Sequence, residues 1–230
     1  MKKDKTKLGA CGGFGDALYV LGEIQQKYNV SEVSLVHARK DKLPINDSIK
    51  EFYESQDLEA EVVVRDNHES WVKENYAAGR FEAFINKDGS HYSLMANQLR
   101  VKYELLHDTP KTILVPRAGR DERNKREFSI DSVNQFLEFH KREPILLLGD
   151  TNQEYVDALV TYPEHTNLMN KTKVKDLVNL ICSSETLIGH PGFLAYLAAM
   201  TGKTVRTTVE PHCSHLYFNP NWDVTFIRGI

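Results

Sequence analysis

The chain has 230 residues, 41% of them hydrophobic and 27% charged, an ordinary globular composition with length enough for one large or two small domains. Its formal net charge is -3, so no overall field draws it to nucleic acid or to an anionic membrane. Three cysteines without a CxxC pair, and no apolar run of about 18 residues, argue against a disulfide framework, a zinc knuckle and a transmembrane helix. The charged start of the chain does not read as a signal peptide, and a reducing cytoplasm is the expected location.

Short apolar runs alternate with helical patterns. Thr6–Ala10 reads as a strand that runs into Gly12, Gly13, Phe14 and Gly15, and a helix fits Asp16–Tyr28. Glu32–His37 is a strand, Asp47–Ser55 a helix capped by Asp47 or Ser48, and Ala60–Arg65 a strand. A short helix at Ser70–Tyr76, a strand at Phe81–Asn86 and a helix at His91–Leu106 complete the first half. The second half begins with a strand at Thr112–Pro116 and a basic loop, then a helix from Ser129 to Lys141. The strand Pro144–Gly149, the helix Gln153–Val160 and the strand Asn167–Met169 follow. Next come the helix Lys173–Ser183, the strand Glu185–His190 and the helix Phe193–Thr201, with strands at Thr204–Val209 and Val224–Ile227. Such alternation predicts an α/β protein of parallel sheets covered by helices. His107, Asp108, Thr109 and Pro110 break helicity, so two domains are expected, 1–108 and 109–230, with one long sheet as the competing arrangement.

Parallel sheets gather ligands at the carboxyl ends of their strands. Gly12, Gly13 and Gly15 lie at such an end, where glycine lets the backbone turn and a ligand approach. Their spacing fits neither a Walker loop nor GxGxxG, which disfavours a nicotinamide-dependent oxidoreductase. Asp16 has two readings: a helix-capping carboxylate, worth about 0.5–2 kcal/mol, or a base that accepts a proton from an attacking hydroxyl. The loop from Arg117 to Arg126 carries Arg117, Arg120, Arg123, Lys125 and Arg126, which suit a diphosphate, a DNA backbone or simply solvent. Asp150 or Glu154 could hold a ribose, or Asp150 or Thr151 could cap a helix. His190 and Gly192 precede an alanine-rich helix whose N-terminus suits phosphate; His190 also fits a buried structural histidine. His212, Cys213 and His215 offer too few ligands for a metal, and none is expected.

Three stretches together resemble glycosyltransferase family 9, the heptosyltransferase-like group, in a shortened and divergent form. Phe14–Ile24 is similar to that family's opening Gly-Asp segment. Ile113–Gly119 followed by Asn124–Phe128 is similar to its strand, glycine turn and Lys-x-x-aromatic segment. Leu146–Asp150, Asp176–Cys182, Thr186–Gly192 and Tyr196–Lys203 keep the order of its donor-binding domain. His190-Pro191-Gly192 stands where the family has Asp-Ser/Thr-Gly, and Tyr196 where it has a His.

The resemblance implies a GT-B-like fold, two Rossmann-like parallel-sheet domains facing a cleft. The N-terminal one takes the acceptor and the C-terminal one a nucleotide-sugar donor. It implies an inverting, metal-independent glycosyltransferase that needs no cofactor, with Asp16 as catalytic base and Lys125 as a phosphate ligand. Substrate contacts are then expected at Gly12, Gly13, Phe14, Gly15, Arg117, Arg126, Asp150, Glu154, His190, Gly192 and Tyr196. The acceptor is a glycan, a small molecule or modified DNA. The alternatives are a phage-type DNA glycosyltransferase acting on hydroxymethylated bases, and a non-catalytic nucleotide-sugar-binding module.

Overall fold

The structure, a computed structural model, describes residues 5–40, 45–85, 99–118, 126–208, 218 and 221–230. It divides into two compact units, Met1–Lys102 and Tyr103–Ile230. The first contains β1 (Thr6–Cys11), α1 (Phe14–Lys27), a 3-10 turn (Val30–Glu32), β2 (Val33–Arg39), α2 (Ile45–Ser55), β3 (Glu59–Val64), α3 (His68–Ala77) and β4 (Ala83–Ile85). Its four strands are all parallel, in the order β3-β2-β1-β4. Side chains alternate across the sheet, as a period of two requires. Val36 and Ala38 pack with Val72 of α3 and Phe81 on one face. His37, between them, points the other way and meets Tyr53 of α2. With both faces covered, β2 is buried almost throughout, His37 included.

The second unit contains β5 (Thr112–Val115), β6 (Arg117–Ala118), β7 (Arg126–Glu127), α4 (Ile130–Phe139), β8 (Ile145–Leu147), α5 (Gln153–Asp157) and β9 (His165–Asn167). It continues with α6 (Val174–Ser183), β10 (Thr186–Gly189), α7 (Phe193–Met200), β11 (Thr204–Thr208) and β12 (Val224–Ile227). Six parallel strands run in the order β12-β11-β10-β5-β8-β9. Ser129 caps α4 by accepting a hydrogen bond from the Ser132 N–H at 3.1 Å. The helix then buries Val133 and Leu137 against Leu114, Ile145, Leu147 and Ile188 of the sheet; each such side chain contributes about 1.5–3 kcal/mol of burial.

The connection between the units departs from expectation. Residues 99–106 form no helix. They run extended, because side chains satisfy alternate backbone groups. Arg100 N–H donates to Gln25 Oε1 at 3.0 Å and Lys102 N–H to Gln56 Oε1 at 2.6 Å, within the first unit. Glu104 N–H donates to Asn179 Oδ1 and Leu106 N–H to Ser183 Oγ, both at 2.9 Å, within the second. The change of partner falls between Lys102 and Tyr103, where the two compact units divide. The remainder of the expected helix, 91–98, lies outside the described residues.

Strand order makes one position special in each sheet. From β1 the chain adds β2 and β3 on one side, then returns to place β4 on the other. From β5 it adds β8 and β9, then returns to place β10 across β5. At such reversals the connections leave in opposite directions and open a crevice at the carboxyl ends of the strands. At the second reversal β10 and β5 pack tightly. A Cβ on Gly189 would lie 2.8 Å from the Val115 carbonyl oxygen and 2.9 Å from its Cβ. Gly189→Ala is expected to cost about 1–3 kcal/mol by overpacking, read as a lower denaturant midpoint; a midpoint equal to the parent's would refute the close approach.

Candidate functional site

The carboxyl end of β1, at the first reversal, carries Gly12, Gly13 and Asp16. The helix starts two residues before the expected position, with Gly13 as its N-cap, so Asp16 is the third helical residue and not the first. From there its carboxylate reaches back, and Oδ2 accepts the Gly13 N–H at 2.5 Å. Negative charge in the first turn also suits the helix dipole. Gly12 has φ of +134°, and a Cβ there would overlap the Asp16 carboxylate, so the turn requires glycine.

Asp16 is only 7% exposed, yet it forms part of the wall of a pocket of about 280 Å³. Gly12, Gly13 and Cys11 line the same pocket, joined by Arg39 and Lys40 from the end of β2 and by His68 and Glu69 from the start of α3. Glu69 is ion-paired with Lys73 at 2.6 Å, one turn along α3. The pocket thus combines a buried carboxylate with two cationic side chains. Of the other expected residues, Phe14 sets its ring edge-on to Phe52 of α2, 6.2 Å between centroids. Gly15 is the second residue of α1.

Sequence reasoning missed Arg39, Lys40, His68 and Glu69. A signal was present for the first two: they end the strand that follows the glycine turn, and strand ends are where ligands gather. His37 and Tyr53, which hold the turn from beneath, gave no local signal.

The second reversal brings together Arg117, Arg126, His190 and Gly192. Arg117, 6% exposed, directs Nη1 to Thr151 Oγ1 at 2.5 Å and lies 3.7 Å from Glu127 through Nε. Arg126 Nη1 donates to the Pro191 carbonyl at 2.5 Å, which ties the basic segment to the turn before α7. The basic loop is therefore not free at its ends. Arg117–Ala118 pairs antiparallel with Arg126–Glu127, a hairpin the sequence did not predict. Lys125, with Arg120 and Arg123, lies outside the described residues.

His190 is buried, stacks on Phe128 with centroids 4.3 Å apart, and places Nδ1 2.8 Å from Thr208 Oγ1. Burial, assisted by Arg126, pulls its pKa from 6.5 to about 4, so it is neutral at pH 7 and brings no charge to a phosphate. Gly192 is the N-cap of α7. Tyr196, one turn into that helix, packs on Phe218, 4.9 Å between centroids.

Asp150 and Glu154 are exposed, the latter on α5. Neither Asp150 nor Thr151 caps α5. Asn152 does, accepting from Tyr155 N–H at 2.9 Å. Thr151 N–H is instead bound by Asn170 Oδ1 at 2.8 Å, with Asn170 in the left-handed conformation that asparagine tolerates.

Among the described residues no three of His, Cys, Asp and Glu stand together as around a metal ion, and no helix is long and apolar enough to cross a membrane. His212, Cys213 and His215 lie outside them.

No protein-family model matches the chain, and no curated protein matches it in sequence. Solved structures do match in fold. A family 9 glycosyl transferase from Veillonella parvula aligns over 99% of this chain and 87% of its own, with 9% identity and a TM-score of 0.63. E. coli ADP-heptose lps heptosyltransferase II aligns over 98% and 91%, with 11% identity and a TM-score of 0.63. E. coli heptosyltransferase WaaC with ADP-2-deoxy-2-fluoro heptose aligns over 96% and 93%, with 10% identity and a TM-score of 0.59. The chain has the GT-B-like fold of two Rossmann-like parallel-sheet units, as its resemblance to family 9 implies.

Proposed function

We propose that this protein is a glycosyltransferase that moves a sugar from a nucleotide-sugar donor to an acceptor hydroxyl, with inversion and without a metal. The observation that carries the reading is Asp16: a buried carboxylate in a pocket wall at the strand reversal of a GT-B-like fold. The acceptor, a glycan or a small molecule, presents its hydroxyl to Asp16. The carboxylate takes the proton as the oxygen attacks the anomeric carbon, and the bond from that carbon to the diphosphate breaks. The nucleoside diphosphate leaves with its negative charge. Arg117, Arg126 and the backbone amides at the start of α7 are suited to stabilise it, and Lys125 is proposed to join them. Fixed cations of this kind do the work a metal does elsewhere.

A thermal-shift screen tests the reading, because a ligand that binds only the native state raises its melting temperature. An ADP-sugar is the first donor to try, since one of the matching solved proteins was crystallised with an ADP-heptose derivative. At least one nucleotide-sugar is expected to raise the melting temperature and to release its nucleoside diphosphate when an acceptor is present. No shift with any donor would overturn the reading. A shift without release across a broad acceptor panel would mark a non-catalytic nucleotide-sugar-binding module instead.

A further inference from the structure

Asp16 stands at the end of a line of hydrogen bonds that begins on a helix distant in sequence. Tyr53, fully buried on α2, has its hydroxyl 2.9 Å from His37 Nδ1. His37, fully buried on β2, has Nε2 3.1 Å from the Gly12 carbonyl oxygen. A carbonyl only accepts, so Nε2 carries the proton. Burial pulls the His37 pKa down to about 4, so the ring is neutral and holds one proton. Nδ1 therefore accepts from the Tyr53 hydroxyl, whose own pKa burial pushes well above the usual value. The Gly12 carbonyl and the Gly13 N–H are the two ends of a single peptide unit. That N–H donates to Asp16 Oδ2. Every donor in the series, Tyr53 O–H, His37 Nε2–H and Gly13 N–H, points toward the carboxylate.

Two physical consequences follow. Hydrogen bonds in series polarise one another, so a peptide whose carbonyl accepts from imidazole is a stronger donor through its N–H. The imidazole also fixes the plane of a peptide that would otherwise turn easily between two glycines. A buried polar pair on a sheet face that also buries Leu35 is costly unless each group is satisfied. Here the pair is satisfied through the peptide whose N–H binds Asp16.

We infer that His37 and Tyr53 are positioning residues, which act through the Gly12–Gly13 peptide to aim and hold the Asp16 carboxylate. The inference rests on Asp16 being the base, but its first test does not depend on activity. Arg39, Lys40, His68 and Glu69 also face the pocket from the end of β2 and from α3, so the test does not rest on a pH profile. The Gly13 amide proton reports the bond itself.

The experiment compares the full chain with Tyr53→Phe, His37→Phe and His37→Gln, each checked for folding by its melting curve. In the parent the Gly13 amide resonance lies far downfield, as for an N–H bound to a carboxylate, and it moves upfield in Tyr53→Phe and further in His37→Phe. Glutamine places an amide nitrogen near the position of Nε2, so His37→Gln restores much of the shift. In transfer assays Tyr53→Phe lowers kcat about tenfold, the effect of one lost hydrogen bond, with the donor KM unchanged. A Gly13 resonance that does not move in Tyr53→Phe overturns the inference, as does equal kcat loss in His37→Gln and His37→Phe. If the parent transfers no sugar while the resonance responds as described, the transferase reading fails and the positioning network stands.

Discussion

Asp16→Asn is expected to lower kcat by about two to four orders of magnitude, the usual worth of a positioned general base, while the protein stays folded. Asparagine keeps the size of the side chain and an oxygen that can accept the Gly13 N–H, the bond that Asp16 Oδ2 makes at 2.5 Å. What it loses is the charge and the basic lone pair. The loss of charge at the third helical position costs about 0.3–1 kcal/mol through the helix dipole, too little to unfold a domain of ordinary stability. The donor site proposed in the second unit is untouched by the change, so the donor KM is expected to hold and kcat to fall. Steady-state kinetics beside a denaturation curve separate the two roles that the sequence left open. Full activity in Asp16→Asn would reduce Asp16 to a capping residue.

The second large effect is a loss of stability in mild acid. His37 and His190 both have pKa values near 4 in the native protein, against 6.5 in an unfolded chain, and burial is the principal cause at each. Between those values the unfolded chain binds protons that the native one refuses. Stability from this source is complete above pH 6.5 and is lost as the pH falls toward 4. For fully buried His37 the difference amounts to about 3 kcal/mol, at 1.36 kcal/mol for each pKa unit. His37 belongs to the first unit and His190 to the second, so both weaken together. Urea midpoints measured from pH 7.5 to 4.5 are expected to drop steeply below 6.5, and His37→Gln to flatten the part that belongs to the first unit. A midpoint constant from pH 7 to 5 would show that neither ring is held neutral.

The alternation of strands and helices was legible because both faces of each sheet are covered, which leaves the strands as apolar runs and the helices as amphipathic ones. Ser129 was legible as a cap because its signal is local. Asp16 was placed two residues too early in its helix, since an aspartate before an apolar pattern looks like a helix start and nothing local shows Gly13 as the N-cap. Residues 99–106 misled for the opposite reason. Their helical pattern is overridden by Gln25, Gln56, Asn179 and Ser183, which satisfy alternate backbone groups and hold the segment extended. The hairpin of Arg117–Ala118 with Arg126–Glu127 is too short and too charged to leave a periodic signal. Arg39 and Lys40 reach the pocket only because Cys11 pairs with Ala38, a register that periodicity does not reveal. His37 read as an ordinary strand residue because its partners, Gly12 and Tyr53, meet it only in the folded unit.

Strand reversal also has a consequence for a chain still being made. Thr6 of β1 pairs with Val33, but Leu8 of the same strand must wait for Ala83. Thr112 of β5 pairs with Ile145 early and with Thr186 late. Until the returning strand arrives, β1 and β5 are each the open border of an unfinished sheet, with unpaired backbone groups along one side. Closing the longer loop carries the greater entropic cost, and an open border is where a sheet recruits the wrong partner. The two places where the fold gathers its polar groups are thus also the two seams that the nascent protein must keep covered longest.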